Sequence, residues 1–186
     1  MYEVLNNLKS CHGGTVIWAP GEWMPSVVDL SPCKRGCHLF SRPTHLLGWW
    51  KPDVQLWEAE GCGAHLEEPT KSVWAEARVT RQLPAPTADD LIRLVIELAE
   101  HALPLWERPS NHVDGVAIVD GELWPKTSSS VWADCAIRFA RYAAQRRSVA
   151  YYGAEVARFA VHAAGPQEEA WQDEHMLALI AKGEGA

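Results

Sequence analysis

Leu83-Pro84-Ala85-Pro86 divides this chain into two stretches that obey different periodicities, so no fold of a single secondary-structure class accommodates both. Before the break, Val73, Ala75, Ala77 and Val79 alternate with Ser72, Trp74, Glu76, Arg78 and Thr80. A period of two is that of a strand with one buried face. After the break, Leu91, Leu94, Val95, Leu98 and Ala102 form one apolar stripe at helical spacing, and Ile92, Ile96, Ala99 and Leu103 form a second. A helix apolar over most of its circumference belongs at the centre of a fold. Thr87 is placed to cap it, with Asp89 and Asp90 favourable against its N-terminal dipole.

The rest of each half follows its period. Val54–Ala59 reads as a second strand, and Thr15–Trp18, Val27–Leu30 and Cys37–Phe40 as shorter ones, divided by Pro20-Gly21, Pro32 and Gly36. Pro43–Trp50 has the character of one or two helical turns. In the second half, helices are expected from Val131 to about Gln145, from Ser148 to Ala164, and from Pro166 to about Lys182. Val116–Trp124 fits a hairpin on Asp120-Gly121, or a helical turn. The expected fold is α+β. An N-terminal mixed β-sheet layer with a short helix, residues 1–84, packs on a C-terminal antiparallel array of about four helices, residues 85–186, sharing one core.

Composition narrows the functional classes. Hydrophobic content of 47% with 22% charged residues describes a folded chain, and ten tryptophans demand burial for most of them. A net charge of −7 argues against nucleic acid as a partner, because phosphate contacts need a basic face. The sequence contains no apolar run of membrane-spanning length and begins without the basic and then apolar pattern of a signal peptide. A cytoplasmic location follows as the expectation, with the five cysteines reduced or metal-bound.

The chemistry crowds towards the start. Cys11, Cys33, Cys37 and Cys62 fall within residues 11–65, as do His12, His38, His45 and His65. Cys33, Cys37, Cys62 and His65 form two pairs on separate segments, the general form of a tetrahedral zinc site, with Cys11-His12 in reserve. The alternative is a set of core thiols and hydrogen-bonded imidazoles. Cys33 or Cys37 with a nearby histidine would suit nucleophilic acyl or thioester chemistry. Glu58 and Glu60, two apart on a strand, would bind a cation or act as acid and base, or line a solvated edge. Further on, Arg138, Arg141, Arg146 and Arg147 give a local positive excess inside an acidic protein, a candidate contact for a protein partner.

Three family resemblances bear on these residues. The order His12-Gly13-Gly14-Thr15, then Gly36, His38 and Ser41, then a helix and an acidic strand, resembles that of ADP-ribosyltransferases. The resemblance implies an enzyme using NAD, with His12, His38 and Glu60 as the catalytic set and Glu58 or Glu76 as substitutes for the glutamate. Cys33, Gly36, His38, Val54–Glu60 and Val73–Val79 resemble a domain of unknown function recurrent in phage and prophage proteins, departing from it at Cys37, where an aromatic is expected. Glu97–Trp106 and the alanine-rich helices resemble bacterial immunity proteins. The leading expectation is a small accessory protein, phage- or prophage-encoded and acting in the bacterial host cytosol, that binds a macromolecular partner or small ligand without a cofactor. An NAD-using enzyme and a zinc-stabilised interaction module are the alternatives.

Overall fold

Burial of alternating side chains assembles the first half into an antiparallel sheet. A computed structural model describes residues 1–10, 15–51, 53–106, 116–119, 122–125, 129–146 and 149–183. Among them, β1 (Tyr2–Asn6), β2 (Lys9–Ser10), β3 (Cys37–Leu39), β4 (Gln55–Glu67) and β5 (Ser72–Leu83) pair in the order β2-β1-β4-β5-β3. The chain divides into two units, Met1–Pro86 with the residues from Leu177 onward, and Thr87–Met176. The α+β class read from the sequence is the observed one, with every pairing in this sheet antiparallel.

β5 spans the residues its alternation marked. β4 runs well past the expected Val54–Ala59 segment, pairing Ala59 with Val79, Gly61 with Ala77 and Glu67 with Ser72. Its register shifts between Glu58 and Ala59 and again between Cys62 and His65, interruptions that break a strict period of two. Gly61 is required there. A Cβ on it would lie 2.2 Å from the Trp74 indole. The Trp74 ring stacks on His65 at 4.2 Å and donates from Nε1 to the Ser72 hydroxyl at 2.7 Å.

Leu5, Trp18, Cys37, Leu39, Trp57, Ala59, Ala77 and Val79 make one buried cluster. Each large side chain withdrawn from water contributes about 1.5–3 kcal/mol. Pro43–Trp49 is a 3₁₀ helix with proline at its start, burying Leu46 and Leu47. Two expected strands are corrected. Thr15–Trp18 forms only the bridge from Ile17 to Lys9, and Val27–Leu30 is irregular. Prolines at 20, 25 and 32 interrupt that stretch. Its amides are satisfied differently, with Gly21, Met24 and Val27 donating to the carbonyls of Val79, Ala77 and Ala75 along β5.

In the second unit, α1 (Ala88–Trp106) opens on a reciprocal cap. The Asp90 amide donates to Thr87 Oγ1, and the Thr87 amide to Asp90 Oδ2. Leu91, Leu94, Val95 and Leu98 are buried from one stripe, Ile92 and Ala99 from the other. A hairpin of β6 (Val116–Val119) and β7 (Glu122–Pro125) follows, where the sequence left hairpin and helical turn open. α2 (Ser129–Arg146), α3 (Val149–Ala164) and α4 (Pro166–Lys182) complete the chain. α1, α2 and α3 pack on one another through Ala136, Phe139, Ala140 and Ala143 of α2 and Val156, Phe159, Ala160 and Ala163 of α3, the close approach that small residues permit. Phe139 meets Phe159 edge-on at 5.3 Å. Among the described residues no helix is long and apolar enough to cross a membrane.

Candidate functional site

The Cys33–His38 segment is shaped by one tight turn. The Ser31 and Arg35 amides each donate to the other's carbonyl, and the Lys34 amide donates to the Ser31 carbonyl. Pro32 precedes Cys33, whose φ is +58°, the arrangement of a type II turn whose third position usually falls to Gly or Asn. Here it holds a cysteine. The Cys33 amide donates to His38 Nε2 at 2.9 Å, which places the imidazole proton on Nδ1 and leaves the ring neutral. Burial, and then the charge of Lys71, lower the His38 pKa, in agreement with that tautomer. Gly36 lets the turn approach β5, since a Cβ there would lie 2.5 Å from Val73 Cγ1.

Lys71 comes to the turn from the residue before β5. It is 6% exposed, donates from Nζ to Cys33 Sγ at 3.0 Å, and lies 5.3 Å from the Trp49 ring centre. No carboxylate pairs with it among the described residues. A buried ammonium is costly without a compensating acceptor, and the sulfur is the acceptor it has.

Beside this turn lies a cavity of about 490 Å³. Val16, Trp18, Met24 and Val27 supply apolar wall, and Ser10, Cys33 and His38 supply polar groups. Behind the wall the Ser10 hydroxyl donates to Glu3 Oε1 at 2.9 Å. Glu3 is fully buried, and burial holds its carboxyl well above the ordinary range despite the Ser10 bond and the Lys71 charge. Two polar atoms in this region have no hydrogen-bond partner among the described residues, Glu3 Oε2 and Trp57 Nε1. Glu3 and Trp57 are register partners across β1 and β4, and Trp57 shares its cluster with the cavity residues Trp18 and Cys37. Large apolar side chains gather on the same stretch of chain, with Val28 92% exposed, Ile17 62%, Val16 51% and Trp23 42%.

The residues singled out by sequence divide sharply. Cys33, Cys37 and His38 meet at the cavity. Cys37 is a core thiol pushed up to about 11, first by burial and then by the Glu3 carboxylate, which makes it a poor nucleophile. Cys62 is exposed on β4, and His65 contacts Glu67 at 3.4 Å while stacking on Trp74. Among the described residues no three His, Cys, Asp or Glu side chains are grouped to hold a metal ion. Glu60 is exposed and bound by Arg78 at 2.7 Å, and Glu58 by Arg81 at 2.8 Å. His12, and the side chains of Arg146 and Arg147, lie outside the described residues. Arg141 is exposed and Arg138 half-buried on α2.

Three groups escaped the sequence reading. Lys71 and Glu3 are two of them. The third is a dyad in the helical unit, where His101 Nδ1 meets Glu168 Oε2 at 2.7 Å and Gln172 Nε2 donates to Glu168 Oε1 at 3.1 Å. His101 also stacks on Trp171 at 3.9 Å. The spacing of His101 and Glu168 carried no local signal, since 67 residues separate them. Neither family models, nor curated proteins, nor solved structures give a significant match to this chain.

Proposed function

We propose that this protein works by binding, and that its ligand is a small, largely apolar molecule seated in the cavity beside Cys33 and His38. The observation that carries the reading is a cavity of about 490 Å³ whose apolar wall of Val16, Trp18, Met24 and Val27 is interrupted by the polar groups of Ser10, Cys33 and His38. Binding sites for small molecules have this make-up, mostly apolar wall with a few polar groups that fix orientation. The likeness of Cys33, Gly36 and His38 to the phage and prophage domain supports placing such a binder among mobile-element accessory proteins of a bacterial cytosol.

An environment-sensitive apolar probe tests the reading directly. Anilinonaphthalenesulfonate should bind saturably with one site per chain and accept excitation energy from Trp18. Met24→Arg and Val27→Arg place charge on the apolar wall and should each weaken binding about tenfold or more, the loss of one buried apolar contact. Binding that never saturates, or that ignores both substitutions, overturns the proposal.

A further inference from the structure

We propose that Cys33 is a covalent attachment point for an apolar, carbonyl-bearing electrophile that enters the cavity, with Lys71 holding the sulfur ready to attack. This rests on the binding reading above and names the chemistry of the same site. Four observations converge on it. Cys33 occupies the turn position that ordinarily goes to glycine, and its φ of +58° holds it in a backbone conformation that side chains seldom adopt. Its sulfur accepts a hydrogen bond from a lysine that is nine-tenths buried and has no carboxylate among the described residues. The same residue lines the cavity. The cavity wall beside it is apolar at Val16, Trp18, Met24 and Val27.

The roles differ from a cysteine–histidine pair. His38 Nε2 is occupied by the Cys33 backbone amide, so the imidazole fixes the turn and does not receive the thiol proton. Lys71 is the group in contact with the sulfur. The ammonium donates to the sulfur and, among the described residues, forms no ion pair with a carboxylate. With a conjugated carbonyl compound the balance is simple. The sulfur attacks the β carbon and an S–C bond forms, while the C=C π pair moves to the carbonyl oxygen as an enolate. The thiol proton passes to water as the thiolate forms, and the α carbon of the enolate takes a proton from water, so protons balance. Nothing is oxidised or reduced, and no second reactant is needed.

Cys62 provides an internal control, because it is exposed like Cys33 and, among the described residues, no Lys or Arg bonds to its sulfur. Limiting N-ethylmaleimide on the full chain, quenched at intervals and read by peptide mass, should modify Cys33 about tenfold faster than Cys62, because a cation adjoins its sulfur. Lys71→Met should bring the two rates together, and Lys71→Arg, which keeps the cation, should keep most of the difference. Should Lys71→Met fail to fold, the wild-type ratio decides alone. Equal rates for Cys33 and Cys62 in the wild type overturn the proposal, as does a ratio that Lys71→Met leaves intact in a folded protein. The outcomes separate the two readings. Saturable probe binding with a sluggish Cys33 removes only the covalent step, whereas a fast Cys33 in a protein that binds no probe removes the cavity ligand.

Discussion

Each unit buries a glutamate completely, and the two are treated in opposite ways. In the helical unit Glu168 has both carboxyl oxygens engaged, Oε2 by His101 at 2.7 Å and Oε1 by Gln172 at 3.1 Å, and Gln172 is itself anchored to the Ala157 carbonyl. In the β unit Glu3 has one oxygen bound by Ser10, while the other has no partner among the described residues. A closed network of this kind orders a core, whereas a half-closed one is costly and persists where something else completes it. The contrast teaches which buried acid holds the fold together and which one marks a site.

Breaking the closed network should have the largest effect. Glu168→Ala removes the acceptor of both His101 and Gln172 and leaves space in the core, so it should cost about 3 kcal/mol. Urea denaturation followed by tryptophan fluorescence measures it. A loss as small as that of a surface substitution would mean that the dyad is ornamental and that the contrast with Glu3 is false. His101→Ala should cost less, because that side chain is 45% exposed and water replaces part of what it leaves.

Glu3 should show itself through pH. Its folded-state pKa is raised, chiefly by burial. Between the ordinary carboxylate range and that higher value, the unfolded chain is ionised at this residue and the folded chain is not. Folding therefore takes up a proton, and the stability contributed at low pH is lost as pH rises through the window. Glu3→Gln removes this dependence. Wild type should lose more stability than Glu3→Gln as pH rises above the ordinary carboxylate range. Parallel curves for the two proteins would show that Glu3 ionises freely and that its half-closed network carries no cost.

How much of this was legible follows the range of the interactions. The alternation of β5 and the Thr87–Asp90 cap are local, with partners one to three residues away, and the sequence displays both. The 3₁₀ turn at Pro43 and the stop at Gly165-Pro166 are local too. The far half of β4 was hidden by Gly61, Gly63 and a register shift, and its pairing with β5 disclosed it. The cavity is the least local of all. Cys33 and His38 stood out as residue types, but Lys71 reaches Cys33 across 38 positions and nothing around it in the chain distinguishes it from a turn lysine. Glu3, between Tyr2 and Val4, reads as the polar member of an alternating strand until burial shows otherwise.

The smallest expected effect comes from the acids that attracted a catalytic reading. Glu60 and Glu58 share a strand, but each is met from β5 by its own arginine, Arg78 at 2.7 Å and Arg81 at 2.8 Å. The Arg81 hydrogen bond holds the Glu58 carboxyl below its ordinary value, the sign opposite to that of Glu3. Exposed pairs of this kind stabilise little, because water screens the attraction and two long side chains give up freedom to meet. Glu60→Ala should change stability by about 0.5 kcal/mol or less and leave anilinonaphthalenesulfonate binding and the Cys33 maleimide rate untouched. A measurable loss of either would bring Glu60 into the site and undo the division between a solvated arginine ladder on β4 and β5 and an unfinished polar core beneath β1.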